Sequence, residues 1–152
     1  MDFNLTGNQI QIRDEIQRVC QRFDDTYWLE RETTSTFPHA FFDALAEGNW
    51  LGIAMPEEYG GAGLGIVEAS LMMQAIAESG AAMSGASAVH INIFGLNPVV
   101  VHGTDAQKRR MLPPLIAGKD KACFGVTEPN AGLNTTELTT RAERHGDHYL
   151  IN

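Results

Sequence analysis

The sequence predicts a mainly α-helical fold, a helical bundle that leads into the opening of a β segment. Three observations carry this. Two capping boxes, Thr6-x-x-Gln9 and Thr104-x-x-Gln107, each stand at the head of a segment with helical spacing. Between them, residues 66–102 are rich in Ala, Met, Leu and Val, as buried helices are. After Gly118 the chain turns to Thr-rich, β-prone pieces separated by Gly, Pro and Asn.

The first helix is predicted over about Gly7 to Tyr27, with Leu5 and Ile10 as its hydrophobic staple. Ile12, Ile16, Val19, Cys20 and Phe23 share one face of it. A second helix should start at Pro38, stop at Gly48, and bury Phe41, Phe42, Leu45 and Ala46. Residues 51–65 read as a loop whose glycines serve unusual backbone angles. They match neither G-x-G-x-x-G nor a Walker motif, and no βαβ unit surrounds them. Ile66 to Ala82 reads as a buried helix, interrupted around Gly80 and Gly85, and a second apolar helix follows to about His102. The small residues Ser84 to Ala88 permit close approach by another helix or a ligand, with packing the expected use. The helix opened by Thr104 should be short, ended by Pro113-Pro114, with one further turn from Leu115 to Gly118. Strands are expected at Ala122–Val126, Thr139–Glu143 and His148–Ile151. A β unit of that size is too small to stand alone, so the chain is expected to stop within a domain.

Composition narrows the function. The 152 residues have 43% hydrophobic and 20% charged residues, as globular proteins do. A net charge of −8 argues against a general phosphate-backbone binder. Lys108-Arg109-Arg110 is the one basic cluster and reads as a solvated helix face. Cys20 and Cys123 lie far apart without metal-ligand spacing, so no disulfide framework is expected and a reducing compartment fits. The start, Met1-Asp2-Phe3-Asn4, has no basic or apolar signal character, and the longest apolar runs are broken by Gly, Ser, His and Asn. The expectation is a cytoplasmic protein with no membrane span and no nucleic-acid partner.

Few residues offer chemistry by themselves. No Ser-His-Asp arrangement, H-x-x-x-H or C-x-x-C is present. His90 reads as a hydrogen-bonded core residue. Glu57 and Glu58 are adjacent and point different ways, which argues against a shared-proton pair. The loop from Phe124 differs. Thr127, Gly132, Thr135 and Thr136 supply hydroxyls and a glycine-containing turn, the groups a flavin edge or a pyrophosphate needs.

Several stretches, in order, resemble the N-terminal half of the acyl-CoA dehydrogenases: Leu5-Thr6-x-x-Gln9, Phe37-Pro38, Gly52-Ile53, Pro56-x-x-Tyr59-Gly60-Gly61-x-Gly63, Gly103-Thr104-x-x-Gln107-Lys108, Leu112-Pro113-x-Leu115-x-x-Gly118 and Val126-Thr127-Glu128-Pro129 with Gly132. Together they cover essentially the whole chain. The resemblance implies a helical domain over residues 1–120 and the incomplete start of a middle β domain over 121–152. The family's C-terminal helical domain, which carries its catalytic glutamate, would be absent. It implies FAD as cofactor, contacted by Phe124, Val126, Thr127, Gly132 and Leu133, with Leu133 also facing the acyl-CoA. The implied reaction is α,β-desaturation of an acyl-CoA thioester, with removal of an α-proton by a carboxylate and transfer of a β-hydride to flavin. Neither Glu78 nor Glu128 is assigned as that base; Glu128 is expected to order its own turn. An electron-transferring flavoprotein is the implied acceptor, and a homo-oligomer, tetramer or dimer, the implied assembly. Where the family commonly has Ser-Asp after the glycine, this chain has Leu133-Asn134, so a hydroxyl and a carboxylate are missing. Thr135 or Thr136 could substitute. The chain alone is expected to be inactive. Two other readings stand: a flavin-dependent monooxygenase or acyl-CoA oxidase of the same fold, and a non-catalytic helical interaction module.

Overall fold

A computed structural model describes residues 4–152; the first three residues of the expected 1–120 segment lie outside it. Helix α1 spans Gly7–Cys20, and Thr6 caps it with both halves of the predicted capping box in place. It does not continue to Tyr27. The Asp24 carboxylate accepts the Tyr27 N–H at 2.9 Å and starts a new helix, α2, over Asp25–Thr34. A short acidic side chain competes with the helical backbone in this way, and the turn it creates lets Phe23 drop into the core. Helix α3, His39–Glu47, opens just after Pro38 and ends at Gly48, as expected, and buries Phe41, Phe42, Ala44 and Leu45.

The loop that follows is built from two 3₁₀ turns, Trp50–Gly52 and Glu57–Tyr59. Its glycines serve geometry. Gly60 sits at φ 93°, and a Cβ on Gly61 would lie 2.1 Å from the Met55 carbonyl oxygen.

Helix α4 spans Ile66–Ile76. Its start is tied to α1 by the Glu68 carboxylate, which accepts from Gln9 Nε2 at 2.9 Å and from the Gly65 N–H at 3.1 Å. A π turn at Ala77–Ala81 then kinks the chain, with Gly80 at φ 87°. Helix α5, Ala82–Phe94, follows and begins on a strained residue: Ala82 has φ 45° and ψ −135°. Gly85 does not interrupt α5. It is buried, and a Cβ there would meet Ala81, Ile76 and Trp28 at 2.5–3.3 Å, so close packing is its use. The expected single helix to His102 is two, because α6, Asn97–His102, restarts after Gly95-Leu96 with Pro98 in its first turn. By length and composition the run Ile66–His102 could cross a membrane, with a mean hydropathy of 1.2. Its pieces of 11, 13 and 6 residues are each shorter than the roughly 20 a span needs. Ala69, Met72, Ile76 and Val89 from this run sit in the protein core.

Helix α7, Asp105–Ile116, has the predicted Thr104 capping box but runs through both prolines. Each proline removes a donor. Their carbonyls still accept from the Ala117 and Lys119 N–H groups at 3.0 and 2.9 Å, so one more turn closes. Burying Leu115 and Ile116 in that turn, roughly 1.5–3 kcal/mol each, offsets much of the proline cost.

The main core packs α1 against α4 and gathers Ile16, Phe41, Phe42, Leu45, Met72, Ile76 and Val89, all fully buried. Phe41 lies edge-on to Phe23 and Trp28, with ring centroids 5.4 and 5.0 Å apart. A smaller cluster joins Met55 and Tyr59 to Leu112, Leu115 and Ile116. Both cysteines are free, Cys20 buried and Cys123 exposed.

The expected strand at Ala122–Val126 does not form. It finds no strand to pair with among the described residues, and its first N–H goes to a helix side chain instead. Strands β1, Ala142–His145, and β2, His148–Ile151, pair antiparallel, with Arg144 opposite Tyr149. They are joined through Gly146-Asp147, with Gly146 at φ 65° as a two-residue hairpin connection favours. β1 starts three residues later than the Thr139 the sequence suggested, because Thr139 and Thr140 are held by another group. Every residue of the hairpin is exposed.

Candidate functional site

The segment from Asp120 to Leu133 is positioned by one residue the sequence reading missed. Asn92, buried on α5, donates through Nδ2 to the Asp120 carbonyl and accepts the Ala122 N–H through Oδ1, both at 3.1 Å. Its signal was a lone carboxamide inside the apolar run His90-Ile91-Asn92-Ile93-Phe94. Approach is close here: a Cβ on Gly95 would lie 2.9 Å from the Ala122 Cβ. The Lys121 ammonium lies over the Phe42 ring at 4.4 Å and the Phe37 ring at 5.1 Å. Phe124 then meets Phe94 edge-on, with centroids 5.9 Å apart.

Beyond Phe124 the chain makes a tight turn. Glu128 and Ala131 exchange backbone hydrogen bonds at 3.0 and 3.2 Å, with Pro129-Asn130 at the tip. Thr127 and Gly132 flank this antiparallel bridge and so stand beside each other. The Glu128 carboxylate does order its own surroundings. It accepts the Thr139 N–H and hydroxyl, each at 2.9 Å, and the Thr140 N–H at 2.7 Å. Hydrogen bonds from Thr140 and Thr139 hold its pKa down to about 2.

The structure thus brings Phe124, Val126, Thr127, Gly132 and Leu133 onto one loop. Phe124 and Leu133 are exposed, Leu133 completely, and Val126 is half-buried. Among the described residues nothing hydrogen-bonds the Thr127 hydroxyl. The same holds for the N–H groups of residues 124–127, Gly132 and Leu133. A Cβ added at Gly125 or Gly132 would meet open space. Thr136 is differently placed: its hydroxyl and N–H both go to the Asn134 side chain, which closes a 3₁₀ turn at Thr135–Glu137. Free donors, an unpartnered hydroxyl and unfilled space over two glycines fit a planar polar edge such as that of a flavin.

Next to this loop lies a cleft of about 470 Å³ that is lined by Met55, Leu64, Ile93, Phe94, Val100 and Phe124 among others. His90 is half-buried rather than in the core. Its Nδ1 lies 3.3 Å from the Ser87 carbonyl oxygen. Glu58 pairs with Arg109 at 3.4 Å on the exposed side of α7, which agrees with a solvated role for the basic cluster. Among the described residues no His, Cys, Asp and Glu gather into a metal-binding group.

Residues 6–119 match the acyl-CoA dehydrogenase N-terminal domain. The chain belongs to the acyl-CoA dehydrogenase family. Isovaleryl-CoA dehydrogenase of Bos taurus is 32% identical over 97% of this chain and 35% of its own length. Butyryl-CoA dehydrogenase of Megasphaera elsdenii superposes with a TM-score of 0.82 at 29% identity, over 100% of this chain and 40% of that one. A chain from a structure of the electron-transferring flavoprotein of Acidaminococcus fermentans superposes with a TM-score of 0.84 at 31% identity, with 100% and 40% covered. The chain spans 35–40% of the length of curated acyl-CoA dehydrogenase relatives. Its mostly helical architecture is that of the family's N-terminal domain.

Proposed function

We propose that this chain forms the helical part and flavin-facing loop of an FAD-dependent acyl-CoA dehydrogenase that desaturates acyl-CoA thioesters between the α and β carbons. The observation that carries this is the loop at 124–133, whose free Thr127 hydroxyl and open Gly132 stand beside an apolar cleft. In this reading residues 1–120 are the helical domain and 121–152 open the β domain. Phe124 and Val126 pack against the flavin ring. Thr127 donates to its polar edge, and Gly132 and the Leu133 N–H border its phosphates, with Leu133 also bordering the acyl-CoA. When bound, FAD supplies the hydride acceptor. The residues of this chain bind and align; the carboxylate that takes the α-proton is supplied from beyond these 152 residues, so the chain alone is inactive. An electron-transferring flavoprotein as acceptor, a homo-oligomeric assembly and a cytoplasmic location complete the reading, supported by the family and by the free cysteines.

The test uses the FAD-loaded enzyme that contains this chain. Under anaerobic conditions acyl-CoA should bleach the flavin's visible absorbance. Thr127→Ala should slow that bleaching or loosen flavin retention, a hydrogen bond to a buried partner being worth about 1–3 kcal/mol. No bleaching with any acyl-CoA would remove the reading.

A further inference from the structure

Two clefts meet at Phe94. The cleft of about 470 Å³ beside Phe124 and a second of about 250 Å³ between α4 and α5 share Ile66, Ile93 and Phe94 as lining. Ile93 is 8% exposed and held in the core, so it forms a fixed floor. Phe94 is 41% exposed and can move. Its ring lies 5.9 Å from that of Phe124 on one side and 5.6 Å from that of His90 on the other, so it stands between the clefts. The far cleft is apolar, with Ala69 and Met73 along α4 and His90 as its main polar group.

We propose that Phe94 is a specificity-determining residue that partitions one acyl-chain groove and limits the chain length this site accepts. This rests on the acyl-CoA reading above. The reacting carbons must lie against the flavin, and therefore near Phe124, so the remainder of the acyl chain runs toward Phe94. A short chain ends in the first cleft. Added methylenes must displace the Phe94 ring or stay in water, and each one left out of an apolar pocket loses its transfer energy. Without the ring the two clefts become continuous.

The experiment uses the FAD-loaded enzyme and straight-chain acyl-CoAs of increasing length. It reads kcat/KM and, for non-reactive thioether analogues of the same lengths, the dissociation constant. The wild type should fall at least about tenfold in both once the chain outgrows the first cleft. Phe94→Ala should move that fall to longer chains, and Phe94→Trp to shorter ones. A wild type that turns over acyl-CoAs, but whose length profile is the same in both variants, overturns the role of Phe94 and leaves the dehydrogenase reading standing. A wild type that neither binds nor turns over any acyl-CoA overturns both.

Discussion

Residues 7–116 and residues 121–152 are held by different physics. The helical part packs Phe41, Phe42, Leu45 and Met72 at complete burial, so its stability comes from apolar area removed from water. Of the residues from 121 on, Ala131 is the buried one among those described, at 3% exposure. That region is held by point contacts: Asn92 to the backbone at 120–122, Lys121 over two rings, and Glu128 to Thr139 and Thr140. A core gives a segment rigidity whatever binds to it. Point contacts fix where a loop stands and leave its donors and side chains free for something else.

Truncating the core should therefore cost far more than truncating the hairpin. Phe41→Ala should lower unfolding free energy by about 3–5 kcal/mol, while Leu150→Ala, on an exposed strand, stays within about 0.5 kcal/mol. Chemical denaturation of the two variants checks this, and equal losses would break the contrast. At the junction, Asn92→Ala strips the Asp120 carbonyl and the Ala122 N–H of their partner. A loss of about 1–3 kcal/mol is expected, together with faster exchange of the Ala122 amide. A loss below about 0.5 kcal/mol would mean that the segment is held elsewhere.

Much of the helical part was legible because its signals are local. Thr6 with Gln9 and Thr104 with Gln107 close their boxes within one turn, and Pro38 and Gly48 bracket α3. What was missed depended on competition or distance. Asp24 breaks the first helix because its carboxylate outcompetes continuation, a choice that the periodicity of Ile12 and Ile16 does not reveal. Pro113 and Pro114 did not end α7, because burial of Leu115 and Ile116 overrode a backbone rule. Asn92 acts on residues 28 and 30 positions away, so only its odd company in an apolar run hinted at it. The binding loop was legible as a pattern of residue types, and Glu128 as the organiser of its turn, but not the sharing of Phe94 between two clefts.

The kink before α5 offers a smaller effect of opposite sign. Ala82 holds φ 45° and ψ −135°, a region that favours glycine. Ala82→Gly should raise unfolding free energy by about 1 kcal/mol, visible as a higher midpoint in urea; a lower midpoint would show that the residue is not strained. Smaller still is the pH response of the Glu128 clamp. Its folded pKa, about 2, lies below the model value of 4.5, so its contribution is full above that value and is lost as pH falls through about 2. The Thr140 amide resonance should titrate with a midpoint near 2, and in Glu128→Gln it should not titrate there. A midpoint at the ordinary glutamate value would mean that the clamp is open in solution.

Native-state hydrogen exchange, read residue by residue on a sample shown to be monomeric, tests the central contrast most directly. Amides of Leu45, Met72 and Val89 should exchange only through global unfolding. Those of Ala122 and Thr140 should show intermediate protection, and those of the hairpin at 142–151 should exchange within a small factor of unprotected rates. Hairpin amides as slow as the helical core would contradict the account and show that the second region carries a core of its own.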